Sequence, residues 1–294
     1  MSSVGTQPLV WTIDAVLRWA ADDFRSRAIE TPRLDAEILL ARVLSTTRVQ
    51  LIVDSTRALA ADELARFREV VKRRRAREPV AYIVGEREFY GRTFRVDRRV
   101  LVPRPDTEAL VDAALERTRH ASMSMRALDL CTGSGCVAIT LARERPTSRV
   151  FASDLSTDAL AVARENAQRL GAHTVAFRQG DLFEAIPSGC RFDVITANAP
   201  YIETAEIAGL EPEVREYEPR LALDGGVDGM DIVRRIVDGA AGHLTQAGVL
   251  ALEVGSGEAR LAAELLLHSG FSEIETRRDY GRIERVVSGV LNPR

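Results

Sequence analysis

Among the 40 basic side chains of this 294-residue chain, one is a lysine, Lys72, and the chain has only three cysteines, four histidines and 5% aromatic residues. Each scarcity excludes something. Cys131, Cys136 and Cys190 are odd in number and show no metal-ligand spacing, so neither a disulfide framework nor a metal site is expected. No apolar run approaches the roughly 20 residues of a membrane span, and the N-terminus shows no secretory signal. The expectation is a reduced, cytoplasmic protein with no membrane partner. A net charge of −3 gives no case for general nucleic-acid binding, and the arginine excess reads as coding bias. What is present, 46% hydrophobic and 28% charged residues, is the composition of a folded protein with chain enough for one large or two ordinary domains. No internal repeat or low-complexity segment interrupts it.

Residues 1–84 read as helical. Thr12 precedes Ile13, Val16, Leu17 and Ala20 at helical spacing, and Pro32 opens a helix with Leu34, Ile38, Leu39 and Val43 on its apolar face. A third helix starts at Ala61 and runs through Phe67 and Val71 into Lys72-Arg73-Arg74-Arg75-Ala76-Arg77. Helices this short bury their faces only against each other, so a small bundle is expected. The basic run suits a solvated helix end, with a surface facing an RNA-rich assembly as the other reading. Tyr82, Val84, Phe89, Phe94, Val96, Val100 and Val102 are β-prone, and Gly85 and Gly91 punctuate them, which predicts a β-hairpin linker over 85–104. Pro103 and Pro105 then fix the direction in which Arg104 projects, and Asp106 or Thr107 can cap the helix running on from Ala109.

The third segment, 105–294, alternates strands and helices from Met125 onward. Strands are expected at 127–130, 149–153, 175–179, 192–197, 249–254, 272–278 and 284–290, and helices at 136–145, 156–170, 229–244 and 258–269. Only Asp279 to Ile283 separate the last two strands, too few for a crossover helix, so these pair antiparallel. A seven-stranded doubly wound α/β sheet with an antiparallel last strand is the pattern of class I methyltransferases.

The first strand of that segment runs into a glycine loop: Arg126-Ala127-Leu128-Asp129-Leu130-Cys131-Thr132-Gly133-Ser134-Gly135. Glycines let the backbone approach a ligand, and the helix that follows offers free N–H groups. Alone, the loop is also readable as a tight strand-to-helix turn, and it lacks the three-glycine dinucleotide fingerprint because Cys131 stands where a first glycine would be. Asp154 ends the second strand, where a carboxylate can accept both ribose hydroxyls of a nucleoside, cap the helix near Ser156, or do both. Asp181 ends the third strand; it can accept from an adenine amino group, with Leu182 against the ring, or simply cap.

The fourth strand ends in Asn198-Ala199-Pro200-Tyr201. Strands one and four flank the switch point of a doubly wound sheet, so this turn lies beside the glycine loop. Its residue types suit a specific difficulty. An amide or aromatic amine nitrogen is a poor nucleophile because its lone pair is delocalised. Asn198 Oδ1 and the Ala199 carbonyl can accept its two N–H groups, raising density on nitrogen and stabilising the positive charge that develops on in-line transfer. Pro200 biases Ala199 toward extended backbone, and Tyr201 can pack on the planar group. An ordinary Asn-x-Pro turn after a strand is the other reading. Together the loop, Asp154, Asp181 and this turn point to an S-adenosylmethionine pocket beside a planar-amide pocket.

On these residues the chain resembles the bacterial protein-glutamine N5-methyltransferases that act on peptide chain release factors, the HemK/PrmC family. The resemblance covers nearly the whole chain. It rests on Glu78-Pro79-Val80-Ala81-Tyr82, Arg104-Pro105-Asp106-Thr107-Glu108, Asp129 to Gly135, the Asn198 turn, and Arg278-Asp279-Tyr280-Gly281 with Glu284-Arg285. It implies a release-factor-docking helical domain over 1–84, the hairpin linker, and a class I methyltransferase domain over 105–294. It further implies methyl transfer from S-adenosyl-L-methionine, leaving S-adenosyl-L-homocysteine, to the glutamine N5 of the Gly-Gly-Gln motif in class 1 release factors, by a monomer with no direct nucleic-acid substrate. Carried over, Asp129, Cys131, Thr132, Gly133, Ser134 and Gly135 hold the cofactor's methionine end, Asp154 its ribose, and Asp181 with Leu182 its adenine. Asn198, which also borders the cofactor, forms with Ala199, Pro200 and Tyr201 the catalytic turn that holds the substrate glutamine, and Arg104 lies on the substrate side. Ala199 departs from the family's usual proline, retaining the carbonyl but losing some rigidity; Cys131 replaces a common glycine. Three other readings stand beside this one: a ribosomal-protein glutamine methyltransferase, an adenine-N6 nucleic-acid methyltransferase, which needs a basic groove, and a non-catalytic cofactor-binding adaptor.

Overall fold

Thr12 has extended backbone, and its hydroxyl accepts the Ala15 N–H, so the apolar run that follows starts as a capped helix. In the computed structural model, which describes residues 10–121, 124–279 and 281–293, this is the first element of a unit spanning Met1–Gly85. The unit holds α1 (Ile13–Ser26), α2 (Pro32–Leu44), α3 (Arg48–Val53), α4 (Ala61–Arg75) and α5 (Val80–Val84). Ile13, Leu17, Phe24, Leu39, Leu40 and Phe67 fill its core. The basic run at the end of α4 is not simply solvated. Arg74 forms a buried ion pair with Asp35 at 2.7 Å, Arg75 bonds Asp23 at 2.7 Å and lies over the Trp19 ring, and Arg73 pairs with Glu78 at 2.8 Å. Helix α5 forms on residues with β propensity, because Ile83 is buried in the core and Val80 and Val84 pack against it; tertiary burial overrides the local preference.

The second unit, Glu86–Arg294, begins with β1 (Glu86–Phe89) and β2 (Arg92–Arg95), an antiparallel hairpin. Phe89 and Phe94 meet edge to face at 6.0 Å and enter the same core as Leu110 and Val111. The hairpin is therefore part of this unit and not a free-standing linker. Val96, Val100 and Val102 are buried in irregular backbone beyond it, where the β-prone reading expected strand. Then follow α6 (Glu108–Arg117), β3 (Arg126–Leu130), α7 (Cys136–Glu144), β4 (Arg149–Asp154), α8 (Thr157–Arg169), β5 (Val175–Gln179), β6 (Phe192–Asn198), α9 (Pro212–Tyr217), α10 (Asp231–Ala240), β7 (Leu244–Glu253), α11 (Ala259–His268), β8 (Phe271–Arg278) and β9 (Glu284–Leu291).

Seven strands form one sheet in the order β5-β4-β3-β6-β7-β9-β8, parallel except where β9 pairs antiparallel with β7 and β8. This is the class I methyltransferase sheet. Both its faces are covered. Along β7, Val249 and Ala251 face the core beneath α6 and α7, while Leu250 and Leu252 face the core beneath α10 and α11. Val233, Ile236, Val237 and Ala240 give α10 its buried stripe at helical spacing. Between β6 and α10 the chain makes a long excursion containing α9, which the hydrophobic period did not reveal. Tyr280 of the C-terminal motif lies outside the described residues. Among the described residues no helix is long and apolar enough to cross a membrane.

Phe94→Ala tests the hairpin's place in the second unit. Loss of a fully buried ring there is expected to lower unfolding free energy by about 3–5 kcal/mol, read from urea unfolding of the full chain. A change below about 1 kcal/mol would return the hairpin to the status of a linker.

Candidate active site

Register puts the site where it is. Asp129 and Leu130 of β3 lie opposite Thr196 and Ala197 of β6, so the glycine loop and the Asn198 turn leave the sheet side by side. The Asp129 carboxyl is buried and accepts the Thr132 hydroxyl at 2.6 Å and the Thr196 hydroxyl at 2.8 Å. Burial raises its pKa to about 6 against the lowering effect of these bonds. Ser134 is held from behind: Asn166, which is 0% exposed on α8, donates to the Ser134 and Arg95 carbonyls at 3.0 Å and accepts the Arg95 N–H at 2.7 Å. One amide thus ties the hairpin to the glycine loop. At Gly135 the backbone is left-handed, φ +80°, and a Cβ would lie 2.9 Å from Ile139 Cδ1 and 3.1 Å from Ala163 Cβ, so glycine sets the approach of α7 to α8.

Asp154 does two local jobs and keeps capacity for more. Its Oδ2 accepts the Gly133 N–H at 2.8 Å and its Oδ1 the Ser156 N–H at 2.9 Å. Ser156, not Asp154, caps α8, accepting the Ala159 N–H. A carboxylate has about four acceptor directions, so acceptor capacity remains after the loop is braced. Burial raises its pKa above the ordinary carboxylate value. Asp181 caps nothing; its Oδ2 pairs with Arg235 at 2.8 Å. Cys131 and Leu182 both adopt left-handed backbone, φ 55° and 49°. Such conformations cost a side-chain-bearing residue roughly 1–2 kcal/mol, and here both sit on the wall of one cleft, with Asp154 and Asp181.

The Asn198 turn borders the same cleft. Asn198 and Pro200 line the cleft with Arg104 and Thr107. The Ala199 side chain is 2% exposed and lies in the core beneath the sheet. Asn198 Nδ2 donates to Thr107 Oγ1 at 3.2 Å, which leaves Oδ1 as the acceptor. Thr107 therefore does not cap α6, nor does Asp106 cap the 3-10 turn before it; the hydroxyl is turned to the turn instead. Arg104 takes its direction from Glu218 as well as from its flanking prolines, donating to that buried carboxylate at 2.6 Å. Burial pushes the Tyr201 phenol up to about 12, with the Glu253 charge adding to it, so it stays protonated. The turn is clamped by the segment 223–229: the Ile202 N–H donates to the Leu223 carbonyl at 3.0 Å, the Ile202 carbonyl accepts the Gly225 N–H at 2.8 Å, and a Cβ on Gly225 would stand 2.7 Å from Tyr201 Cα.

Three residues of this arrangement, Glu253, Asn166 and Glu218, carried no signal in the sequence, and a fourth, Thr107, read only as a helix cap within its motif. Glu253 ends β7 directly opposite Asn198, is 2% exposed, and its pKa is raised by burial to about 7. Thr107, Asn166 and Glu218 act across long stretches of chain. The C-terminal motif reaches the site too: Asp279 Oδ2 pairs with Arg285 Nε at 3.4 Å, and Arg285 in turn favours the Glu253 charge.

Comparison with known proteins finds matches along nearly the whole chain. Residues 15–85 match the family model described as PrmC N-terminal domain, and 121–218 match one described as Methyltransferase domain. The release factor glutamine methyltransferase of Geobacter sulfurreducens is 44% identical over 96% of this chain and 98% of its own length. That of Cereibacter sphaeroides is 43% identical over 94% and 97%. Among solved structures, a methyltransferase from Pyrococcus furiosus superposes with a TM-score of 0.52 at 18% identity, over 70% of this chain and 91% of its own, a likeness of fold.

Two of the site carboxyls with raised pKa values, Asp129 and Glu253, set a sign for stability. Folded Asp129 and Glu253 keep their protons up to about 6 and about 7, whereas the unfolded chain releases them in the ordinary carboxylate range. The folded state thus binds more protons between these limits, and stability falls as pH rises through them. From about pH 5 to about pH 8 the loss should be about 2–4 kcal/mol by urea unfolding, and it should shrink in Asp129→Asn/Glu253→Gln. Stability rising over that range would contradict the buried placement of both groups.

Proposed function

We propose that this chain, which belongs to the release factor glutamine methyltransferase family, methylates the side-chain amide nitrogen of the glutamine in the Gly-Gly-Gln motif of class 1 peptide chain release factors. The observation that carries the reading is Asn198 on the cleft wall with its Nδ2 engaged by Thr107 and its Oδ1 left to accept. An acceptor of that kind is what a weakly nucleophilic amide needs, and no strong base is required.

The cleft fits S-adenosylmethionine in the chemistry of its donors. Asp129, Asp154 and Asp181 line one side, suited to a cationic ligand bearing a ribose and an exocyclic amine, and the loop 131–135 runs between the first two. Residues 131–135 with Asp129 would hold the methionine end, Asp154 the ribose, and Asp181 with Leu182 the adenine. When bound, the cofactor supplies a methyl group on a positively charged sulfur. The protein's part is to orient the acceptor. Asn198 Oδ1 and the Ala199 carbonyl take the two amide N–H groups, so that density on nitrogen rises in line with the methyl group. The amide nitrogen held there would gain the methyl carbon, the carbon–sulfur bonding pair would stay with the departing thioether, and one amide proton would pass to solvent. Because the Ala199 side chain points into the core, alanine in place of proline alters packing under the turn and leaves the carbonyl in place. Residues 1–84 would dock the factor.

Labelled methyl transfer to a purified release factor, with Gln→Ala in its Gly-Gly-Gln loop as control, tests the reading. Label on the intact factor alone is expected. No label with cofactor still bound would move the substrate to a ribosomal protein or leave a non-catalytic adaptor. Asn198→Ala should keep cofactor affinity and slow transfer by about two to three orders of magnitude; unchanged turnover would remove Asn198 from the chemistry. Asp154→Ala should weaken cofactor binding about tenfold to a hundredfold, as loss of a charge-assisted acceptor does, and an unchanged Kd would leave Asp154 as a brace of Gly133 only.

A further inference from the structure

Arg104 and Glu218 form an ion pair that is open at one end only. The Glu218 side chain is 1% exposed and that of Arg104 34%, and Arg104 lines the cleft with Thr107, Asn198 and Pro200. Glu218 Oε2 accepts the Arg104 Nη2–H at 2.6 Å, and its Oε1 accepts the Val102 N–H at 3.4 Å. One residue earlier, the Arg98 guanidinium lies over the Tyr217 ring, 4.6 Å from the centroid. These contacts fasten the end of α9 to the segment 98–104. Both lengths of chain line the cleft, Leu101 and Pro103 from one, Pro219 and Leu221 from the other.

A guanidinium carries five N–H donors in a rigid fork. Among the described residues the one protein acceptor of Arg104 is Glu218, so most of the fork is left for a ligand of the cleft. Two kinds of acceptor come into question there, the carboxylate of the cofactor's methionine end and the main-chain carbonyls of a peptide. Charge separates them. An anionic ligand gains most from an unpaired cation, whereas Glu218 already neutralises Arg104. The pair offers direction without net charge, which suits a neutral carbonyl oxygen. Position agrees. Glu218 lies on the excursion that leaves the Asn198 turn, and Arg104 stands three residues before Thr107, whose hydroxyl accepts from the Asn198 amide.

We infer that Glu218 is a positioning residue for substrate binding: it aims the Arg104 fork at main-chain carbonyl oxygens of the loop that carries the target glutamine. The inference rests on the substrate reading above. A Gly-Gly-Gln loop suits it, because glycines offer no side chain to recognise and leave their own carbonyls open to close approach. Donors beside the turn that holds the glutamine amide can then fix the loop without touching the reacting group.

The test measures Kd of a purified release factor for the full chain loaded with S-adenosylhomocysteine, together with KM and kcat for labelled methyl transfer. Glu218→Gln removes the charge that anchors the guanidinium; Arg104→Lys keeps the charge and loses the fork. Each should raise Kd and KM for the factor about tenfold, the scale of one charge-assisted hydrogen bond, with kcat at saturating factor and cofactor Kd held within about twofold. The double variant should bind no more weakly than either single one, since both remove the same contact. A factor with Gln→Ala in its Gly-Gly-Gln loop should show the same rise in Kd, because the main chain is what Arg104 takes. An unchanged factor Kd in both variants overturns the inference. A loss confined to Glu218→Gln does so too, leaving Glu218 as a brace of the cleft wall, and a rise in cofactor Kd does so by assigning Arg104 to the cofactor's carboxylate. Losses that vanish with the Gln→Ala factor overturn it by moving the contact to the glutamine side chain. A factor bound more weakly by both variants, yet labelled by none of the three proteins, sinks the methyl-transfer reading and leaves the positioning role standing. A factor bound and labelled equally well by all three sinks the positioning role alone, and a wild type that binds no factor sinks both.

Discussion

A short ladder of parallel backbone hydrogen bonds between β3 and β6 holds the glycine loop and the Asn198 turn next to each other, although Asp129 and Thr196 are 67 residues apart in the chain. No local preference brings these segments together. The ladder does, because both strands are central, both faces are covered, and each strand ends at the same level of the sheet. The Asp129–Thr196 bond crosses it just below the cleft and makes the two strand ends one rigid rim. Everything else at the site attaches to that rim: Asp154 from β4, Glu253 from β7, and Thr107 from the approach to α6.

Rigidity of this kind is what lets the cleft wall keep unfavourable features. Cys131 and Leu182 hold left-handed backbone, and Asp129 and Asp154 are carboxyls with little access to water. A loop on its own would relax both kinds of strain. Here Gly133 is bonded to Asp154, and Ser134 to Asn166, so the loop cannot move without breaking bonds on two sides. Three carboxyls of the cleft lining, Asp129, Asp154 and Asp181, favour a ligand that brings positive charge with it; Arg235 pairs with Asp181, and Arg99 and Arg104 also line the cleft.

The sheet was legible in the sequence because its signals are local: seven apolar runs, crossover-length helical spacers, and a final connection too short for a helix. The family was legible for a similar reason, since its motifs are contiguous. Elements whose stability comes from elsewhere were not. Helix α5 forms on β-prone residues because Ile83 has a core to enter, and α9 sits in a segment with no apolar period. At the site, the residues proposed to contact ligand lie in short motifs and could be picked out, whereas the residues that brace them could not. Thr107 reads as a helix cap until its hydroxyl is seen 91 residues away at Asn198, and Glu218 meets Arg104 across 114. Asn166 is an unremarked residue inside a helix until its amide is found bonded to two other segments. A capping motif and a long-range brace use the same residue types, so type and spacing cannot separate them.

The Asn166 amide also says where this gene can be cut and joined. Arg95 belongs to the hairpin, Ser134 to the glycine loop, and one buried side chain satisfies both. A recombinant that inherited the sheet without the hairpin would bring along an Asn166 whose oxygen has lost its donor and whose nitrogen has lost one of two acceptors, with Phe89 and Phe94 missing from the core above it. The inheritable module is thus Glu86 onward. A junction before β1 would keep both partners of Asn166 on one side of the splice, whereas a junction a few residues later would separate them.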